Sequence, residues 1–311
     1  MTTAFVFPGQ GSQSVGMQAD LPASFPVVAE TYAEASDVLG FDLWNLVQNG
    51  PKEQLDETTN TQPAMLTAGI ATWRAWKNAG GADPAMVAGH SLGEYSALVA
   101  SAALSFADAV RLVRQRAELM QSAVPAGEGA MAAVLGLDDD VVLKVCEEAS
   151  VDGVAEAVNF NSPGQVVVAG HRAAIEALTA LAKDAGARRA LMLPVSVPAH
   201  SSLMRPAGET LAGSLDSTTF GAPRFPVICA VDGTPYGDAE DIRERMKRQV
   251  FSPVRWVDTI NHMVASGVTS IIEFGPGKVL AGLIKRIDRN LDGSCIDSSE
   301  SLKKSLDGAS K

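Results

Sequence analysis

Gly89-His90-Ser91-Leu92-Gly93 fits the G-x-S-x-G pattern, in which a serine is presented on a tight turn between a strand and a helix. Met86-Val87-Ala88 before it reads as the end of a buried strand, and Glu94 to Ala102 after it carries good helix formers and small residues. Glycines flank the serine because a side chain in so sharp a turn would clash. The turn lifts the Ser91 hydroxyl out of the packing. It also sets the Leu92 N–H at a helix N-terminus, where backbone donors favour a developing negative charge. The chemistry this points to is covalent acyl transfer through Ser91. The competing reading of the five residues alone is a glycine-rich turn with a solvated serine. A strand before and a helix after are the context that the nucleophile requires.

A nucleophilic serine needs a base, and the chain has four histidines. His90 lies inside the turn and points away from Ser91. His171 opens a helix, and His262 lies within the helix Val257 to Ala265, where a solvated or capping role fits it better. His200 follows Val195-Ser196-Val197-Pro198-Ala199, a stretch held extended by Pro194 and Pro198, and opens a helical segment rich in Leu, Ala and Met. It is the candidate base.

One arginine calls for a partner. Ser105-Phe106-Ala107-Asp108 is a helix start signal. In the helix that follows, Ala109, Leu112, Val113, Ala117 and Met120 form an apolar stripe that also contains Arg116. Arg111 and Arg114 fall on other faces. An inward-facing cation must be paired, either in a structural salt bridge or by a substrate carboxylate gripped in a bidentate fork.

The surrounding elements alternate in the manner of an α/β fold. Ala4 to Phe7 reads as a buried strand, and Pro8-Gly9-Gln10-Gly11-Ser12-Gln13 as a tight loop whose N–H groups either face a ligand or simply turn the chain. Helices are expected over Pro26 to Gly40, over Phe41 to Val47, and from Thr61-Gln62-Pro63 to Lys77. Residues 126–195 read as β-α-β-β-α-β, the ferredoxin-like order, inserted into an α/β core made of residues 1–125 and 196–311. Val227 to Val231 and Ser270 to Phe274 read as further strands. Beyond Asp288 the chain turns polar and serine-rich, and a frayed end is expected.

Composition narrows the function. The chain has 311 residues, 46% of them hydrophobic, and a net charge of −11. That charge argues against binding nucleic acid or an acidic membrane surface. Cys146, Cys229 and Cys295 are scattered, with neither a disulfide framework nor metal-ligand spacing. Met1 to Pro8 lacks a basic leader and a long apolar stretch, and no run is long enough to span a bilayer. The expectation is a cytoplasmic protein with no metal.

Six pieces in order resemble the malonyl-CoA:acyl carrier protein transacylases of bacterial fatty-acid synthesis. They are Phe7-Pro8-Gly9-Gln10-Gly11-Ser12-Gln13, Thr61-Gln62-Pro63-Ala64, Gly89 to Tyr95, Asn159-Phe160-Asn161-Ser162-Pro163-Gly164-Gln165, Pro194 to His200, and Glu273-Phe274-Gly275-Pro276-Gly277-Lys278. The resemblance implies an α/β-hydrolase-like core with a parallel sheet and a ferredoxin-like insertion. It implies Ser91 as nucleophile, His200 as base, and the backbone carbonyl of Gln249 in place of a triad acid. The N–H groups of Gln10 and Leu92 would form the oxyanion hole. Arg116 would hold the malonyl carboxylate, with Gln62 and Asn161 also binding substrate. Ala199 stands where close relatives are expected to have serine.

The resulting expectation is ping-pong transfer of malonyl from malonyl-CoA to the phosphopantetheine of acyl carrier protein. No cofactor of its own is needed, and a monomer suffices. The alternatives are a serine hydrolase, a polyketide-pathway acyltransferase, and a non-catalytic binding module. Acyl carrier proteins are acidic, so a chain at −11 must dock one on a local basic patch. Lys183, Arg188 and Arg189 form one candidate, and Lys278, Lys285 and Arg286 another.

Overall fold

The structure, a computed structural model, describes residues 2–195 and 197–309. Its strands are β1 (Thr3–Phe7), β2 (Val87–Gly89), β3 (Gly129–Leu135), β4 (Ala155–Ser162), β5 (Gln165–His171), β6 (Arg189–Met192), β7 (Val227–Ile228), β8 (Ser270–Phe274) and β9 (Asp292–Ile296). Five of them form one sheet in the order β7-β2-β1-β8-β9, with every neighbouring pair parallel. The other four form an antiparallel sheet in the order β4-β5-β3-β6. The chain is thus an α/β protein with a parallel sheet and a separate antiparallel one.

A parallel sheet covered on both faces needs strands that are apolar throughout. Ala4, Phe5, Val6 and Phe7 are all buried, as is the whole of β8. Their side chains alternate between two cores. Phe5, Phe7, Ile272 and Phe274 face the larger one, with Trp73 and Trp76 from the helix Thr58–Asn78. Ala4, Val6, Ala88 and Ile271 face the other, against the helices Trp256–Ala265 and Val279–Ile287.

The antiparallel sheet buries one face under the helices Asp139–Ala149 and Arg172–Asp184. Its opposite face, Met131, Val158, Val167 and Ala169, packs on Leu193 and Ala199. Two backbone bonds join this sheet to the core, Phe160 N–H to Val254 O at 2.9 Å and Val254 N–H to Val158 O at 2.8 Å. The small apolar cluster therefore sits directly beside His200.

Three expectations need correction. The strand expected over Val227 to Val231 stops at Ile228, because the Cys229 N–H turns back to Thr234 O at 2.9 Å. The stretch from Asp288 to Ala309 is folded: β9 extends the parallel sheet, and the helix Ser299–Ala309 buries Leu302 in the main core. Leu291, Ile296 and Leu302 supply the buried side chains there, which the polar composition obscured. The stretch Pro194 to His200 includes Ser196, which lies outside the described residues.

The third correction concerns Thr61. The helix begins at Thr58, so Pro63 sits inside it rather than at its start. A proline there leaves the carbonyl four residues back without its donor. That carbonyl is Thr59 O, and Arg114 Nη1 donates to it at 3.0 Å. Arg114 also reaches Asn60 Oδ1 at 3.2 Å, so the arginine assigned no task is a tie between two helices. Its hydrogen bond is worth about 1 kcal/mol. Arg114→Ala is expected to lower the urea midpoint accordingly. Adding Pro63→Ala should recover part of the loss, because an alanine supplies the N–H that proline lacks. Equal losses in the single and double variants would show that Arg114 does not replace that donor.

Candidate active site

β2 ends at Gly89, and the chain turns sharply into the helix Gly93–Ala100. A Cβ on Gly89 would lie 1.9 Å from the Gly93 carbonyl carbon, and one on Gly93 would lie 2.1 Å from Phe7 O. The turn closes only because both side chains are absent. It forces Ser91 to φ 52°, and His200 stands opposite at φ 66°. Left-handed backbone is uncommon outside glycine and persists where its surroundings hold it. The Ser91 carbonyl accepts from Gln249 Nε2 at 2.7 Å, and the His200 N–H donates to Val250 O at 3.1 Å. Two consecutive residues thus pin both conformations.

Ser91 Oγ lies 2.6 Å from His200 Nε2. His200 Nδ1 lies 2.9 Å from Gln249 O and 3.1 Å from Ser252 O. Both oxygens are carbonyls and accept only, so Nδ1 carries the proton and the Nε2 lone pair faces the hydroxyl. Gln249 is the last residue of the helix Ala239–Gln249, where carbonyls lack helical donors. Burial, then the positive charge of Arg116, drives the His200 pKa down to about 3. The imidazole is therefore neutral at physiological pH and ready to accept a proton.

Arg116 is 1% exposed. Its Nη1 donates to Gln62 Oε1 at 2.7 Å, and its Nη2 donates to Gln249 Oε1 at 3.0 Å and Ser91 Oγ at 3.2 Å. Among the described residues its Nε–H has no hydrogen-bond partner. None of the ion pairs among the described residues includes it. The structural salt bridge that the sequence left open is absent among those residues, and a cation rests on neutral groups beside the serine. The chain of contacts continues, since Gln62 Nε2 donates to Thr58 Oγ1 and Thr58 Oγ1 to Gln10 Oε1, both at 3.1 Å.

Leu92 opens the elbow helix. The Gln10 loop is pressed against the turn, for a Cβ on Gly9 would lie 2.7 Å from His90 O. Among the described residues neither the Gln10 nor the Leu92 N–H has a hydrogen-bond partner. Asn161 is placed differently from the others. Its Oδ1 lies 2.8 Å from His90 Nε2 and joins β4 to the turn. Burial lowers the His90 pKa, so its ring is neutral.

Several residues here carried no sequence signal. Glu156 accepts from Ser202 N–H at 2.6 Å and from Ser202 Oγ at 2.7 Å, fastening β4 to the His200 turn. Glu94 is wholly buried behind Gln249 and accepts from its Nε2 at 3.0 Å. The amide of Gln249 was also missed, because only its carbonyl had been assigned. A polar residue on a short motif helix gives no hint of what it touches 155 residues away.

A cleft of about 730 Å³ opens beside His200, with Cys146, Glu156, Arg205, Phe251 and Pro253 in its lining. Lys183, Arg188 and Arg189 are exposed on the antiparallel-sheet side. Lys285 and Arg286 are already engaged, with Arg289 O at 2.9 Å and Gln165 Oε1 at 2.6 Å respectively. Among the described residues no group of three or more His, Cys, Asp or Glu is placed to hold a metal ion. No described helix is long and apolar enough to cross a membrane.

The arrangement can take a proton from a serine, stabilise an oxyanion and receive a carboxylate. Known proteins resemble the chain over nearly its whole length. The curated malonyl CoA-acyl carrier protein transacylase of Escherichia coli K12 is 54% identical over 304 residues, 98% of each chain. A crystal structure of an acyl carrier protein S-malonyltransferase from Vibrio cholerae superposes with a TM-score of 0.96 at 52% identity, covering 98% of this chain and all of that one. A type II PKS acyl-carrier protein in complex with its malonyl-transacylase gives 0.98 at 50% identity, covering 99% and 100%. The family model described as the acyl transferase domain matches residues 4–308. The chain belongs to the acyl transferase family.

Proposed function

We propose that this chain moves a malonyl group from malonyl-CoA to the phosphopantetheine thiol of acyl carrier protein, in fatty acid synthesis, through an ester on Ser91. The observation that carries the reading is Arg116, a buried guanidinium with no ion pair among the described residues, 3.2 Å from Ser91 Oγ. A hydrolase of neutral esters has no use for it, whereas a malonyl group brings the carboxylate it lacks.

His200 Nε2 takes the Ser91 proton as Oγ attacks the thioester carbonyl. The N–H groups of Gln10 and Leu92 hold the oxyanion, each worth about 3 kcal/mol in such sites. The C–S bond breaks, and the departing thiolate takes the proton from His200. The carrier's thiol then gives its proton to His200 and attacks the ester, and Ser91 recovers the hydrogen. Gln249 O and Ser252 O hold the imidazole in one tautomer throughout. Gln62 fixes the Arg116 fork, and Asn161 contributes to substrate binding from β4. Every step uses groups of this chain or of its substrates, so no resident cofactor is proposed. All the groups come from one copy, and we propose a cytoplasmic monomer.

Residues 1–125 and 196–311 are read as an α/β-hydrolase-like core, and residues 126–195 as an inserted ferredoxin-like subdomain. Support for the second comes from strand order β4-β5-β3-β6 with two helices on one face. The carrier is proposed to dock on Lys183, Arg188 and Arg189, whose side chains make neither an ion pair nor a hydrogen bond among the described residues, whereas Lys285 and Arg286 of the other cluster donate to Arg289 O and Gln165 Oε1.

Three measurements test the reading. Mass spectrometry after brief exposure to malonyl-CoA should place the added malonyl on the Ser91 peptide, and Ser91→Ala should abolish it. An adduct in the alanine variant would refute the nucleophile. In the second test, Arg116→Ala should lower kcat/KM for malonyl-CoA about 100-fold or more, since hydrogen bonds to charged groups contribute about 1.5–3 kcal/mol each. Acetyl-CoA should be used as well as before or better, and Arg116→Lys should rescue only partly. Equal losses on both thioesters would mean that Arg116 has no part in selectivity. The third test is pH dependence. Inactivation by a neutral fluorophosphonate should persist far below pH 6.5, because His200 titrates at about 3. Arg116→Ala removes a positive charge, so the His200 pKa rises and the acid limb moves to higher pH. A limb unmoved in that variant would contradict the proposed coupling.

A further inference from the structure

Glu94 takes no part in the transfer steps, yet it is 0% exposed and lies three residues after the nucleophile. A buried carboxylate and a buried guanidinium are each costly alone. These two do not touch, and neither belongs to an ion pair among the described residues. The Gln249 amide stands between them. Its Oε1 accepts from Arg116 Nη2 at 3.0 Å, and its Nε2 donates to Glu94 Oε2 at 3.0 Å and to Ser91 O at 2.7 Å.

The orientation of that amide is fixed by its neighbours. Arginine only donates and a carboxylate only accepts, so the oxygen must face Arg116 and the NH2 must face Glu94. The other Glu94 oxygen accepts from Ala230 N–H at 2.9 Å and Tyr236 OH at 2.7 Å. Both carboxylate oxygens are thus satisfied by donors. Burial pushes the Glu94 pKa up, and these bonds oppose it. Burial likewise lowers the Arg116 pKa, and the charge of Glu94 raises it. A carboxylate placed directly on Arg116 would occupy the fork that a substrate needs.

We propose that Glu94 is a specificity-determining positioning residue: its carboxylate is the counter-charge of Arg116, kept one amide away by Gln249 so that the guanidinium is held in place yet stays open to the carboxylate of the acyl group. This rests on the assignment of Arg116 as the malonyl-binding residue.

The test measures kcat and KM for malonyl-CoA and acetyl-CoA in the wild type, Arg116→Ala, Glu94→Gln and Glu94→Asp. In Glu94→Gln the Ala230 N–H requires an oxygen at its own side, which turns an NH2 toward that of Gln249. Gln249 must then flip an NH2 toward Arg116. The malonyl-to-acetyl ratio of kcat/KM is expected to fall at least tenfold, mainly through the malonyl KM. Glu94→Asp keeps the charge and should retain more of the ratio than Glu94→Gln, although the amide is the closer match in shape. The opposite ranking, or equal losses on both thioesters with a lowered Tm, makes Glu94 merely structural and overturns the proposal. A wild-type ratio in Glu94→Gln, alongside a collapsed ratio in Arg116→Ala, overturns it while leaving the malonyl assignment standing. A wild-type ratio in Arg116→Ala overturns both. If Glu94→Gln does not fold, Tyr236→Phe removes one donor from the carboxylate, and a ratio about threefold lower is expected. An unchanged ratio there overturns the proposal.

Discussion

A guanidinium buried with no ion pair among the described residues constrains everything around it. Arg116 offers only donors, so each neighbour must turn an acceptor inward: Gln62 Oε1, Gln249 Oε1 and Ser91 Oγ. Each amide then presents its NH2 on the far side, where Thr58 and Glu94 receive it. The polarity of the whole network follows from one charge. The same charge weakens the base beside it, since Arg116 is the second cause of the low His200 pKa. A bound carboxylate would offset that second effect, while the larger effect of burial would remain.

The second organising element is the end of the helix Ala239–Gln249. Helix C-termini carry carbonyls with no internal donor. Here Gln249 O orients the imidazole and Val250 O holds its backbone, while the Gln249 side chain holds the backbone of Ser91. Neutral carbonyls fix the tautomer as an acid would, without adding a buried negative charge. Ser252 O provides a second acceptor at 3.1 Å.

Periodicity and punctuation made much of this legible. The elbow, the Arg116 stripe and the β-α-β-β-α-β order depend on neighbours in sequence, and each appears where the pattern places it. The cap at Ser105 is another case, with its side chain accepting from the Asp108 N–H. The failures depend on distant partners. Pro63 looked like a helix start because the donor replacing its N–H comes from Arg114 on another helix. The last strand and helix were masked by polar composition, although Ile296 and Leu302 are fully buried. Glu94 was unreadable for the same reason: its partners are Ala230, Tyr236 and Gln249. The low pKa of His200 is equally invisible there, because burial and a neighbouring cation cannot be seen in a linear pattern.

The strand order of the parallel sheet bears on how the chain is made. β1 occupies residues 3–7, but one of its edges pairs with residues 87–89 and the other with residues 270–273. During synthesis β1 can acquire one neighbour early and must then wait for residues 270–273 to leave the ribosome before acquiring the second. Closing so long a loop is entropically costly and slows folding. The antiparallel unit, whose strands all lie within residues 129–192, has no such delay. Translation thus delivers the insertion before the scaffold around it can close, and the serine turn gains its full support only after Gln249 and β8 have followed.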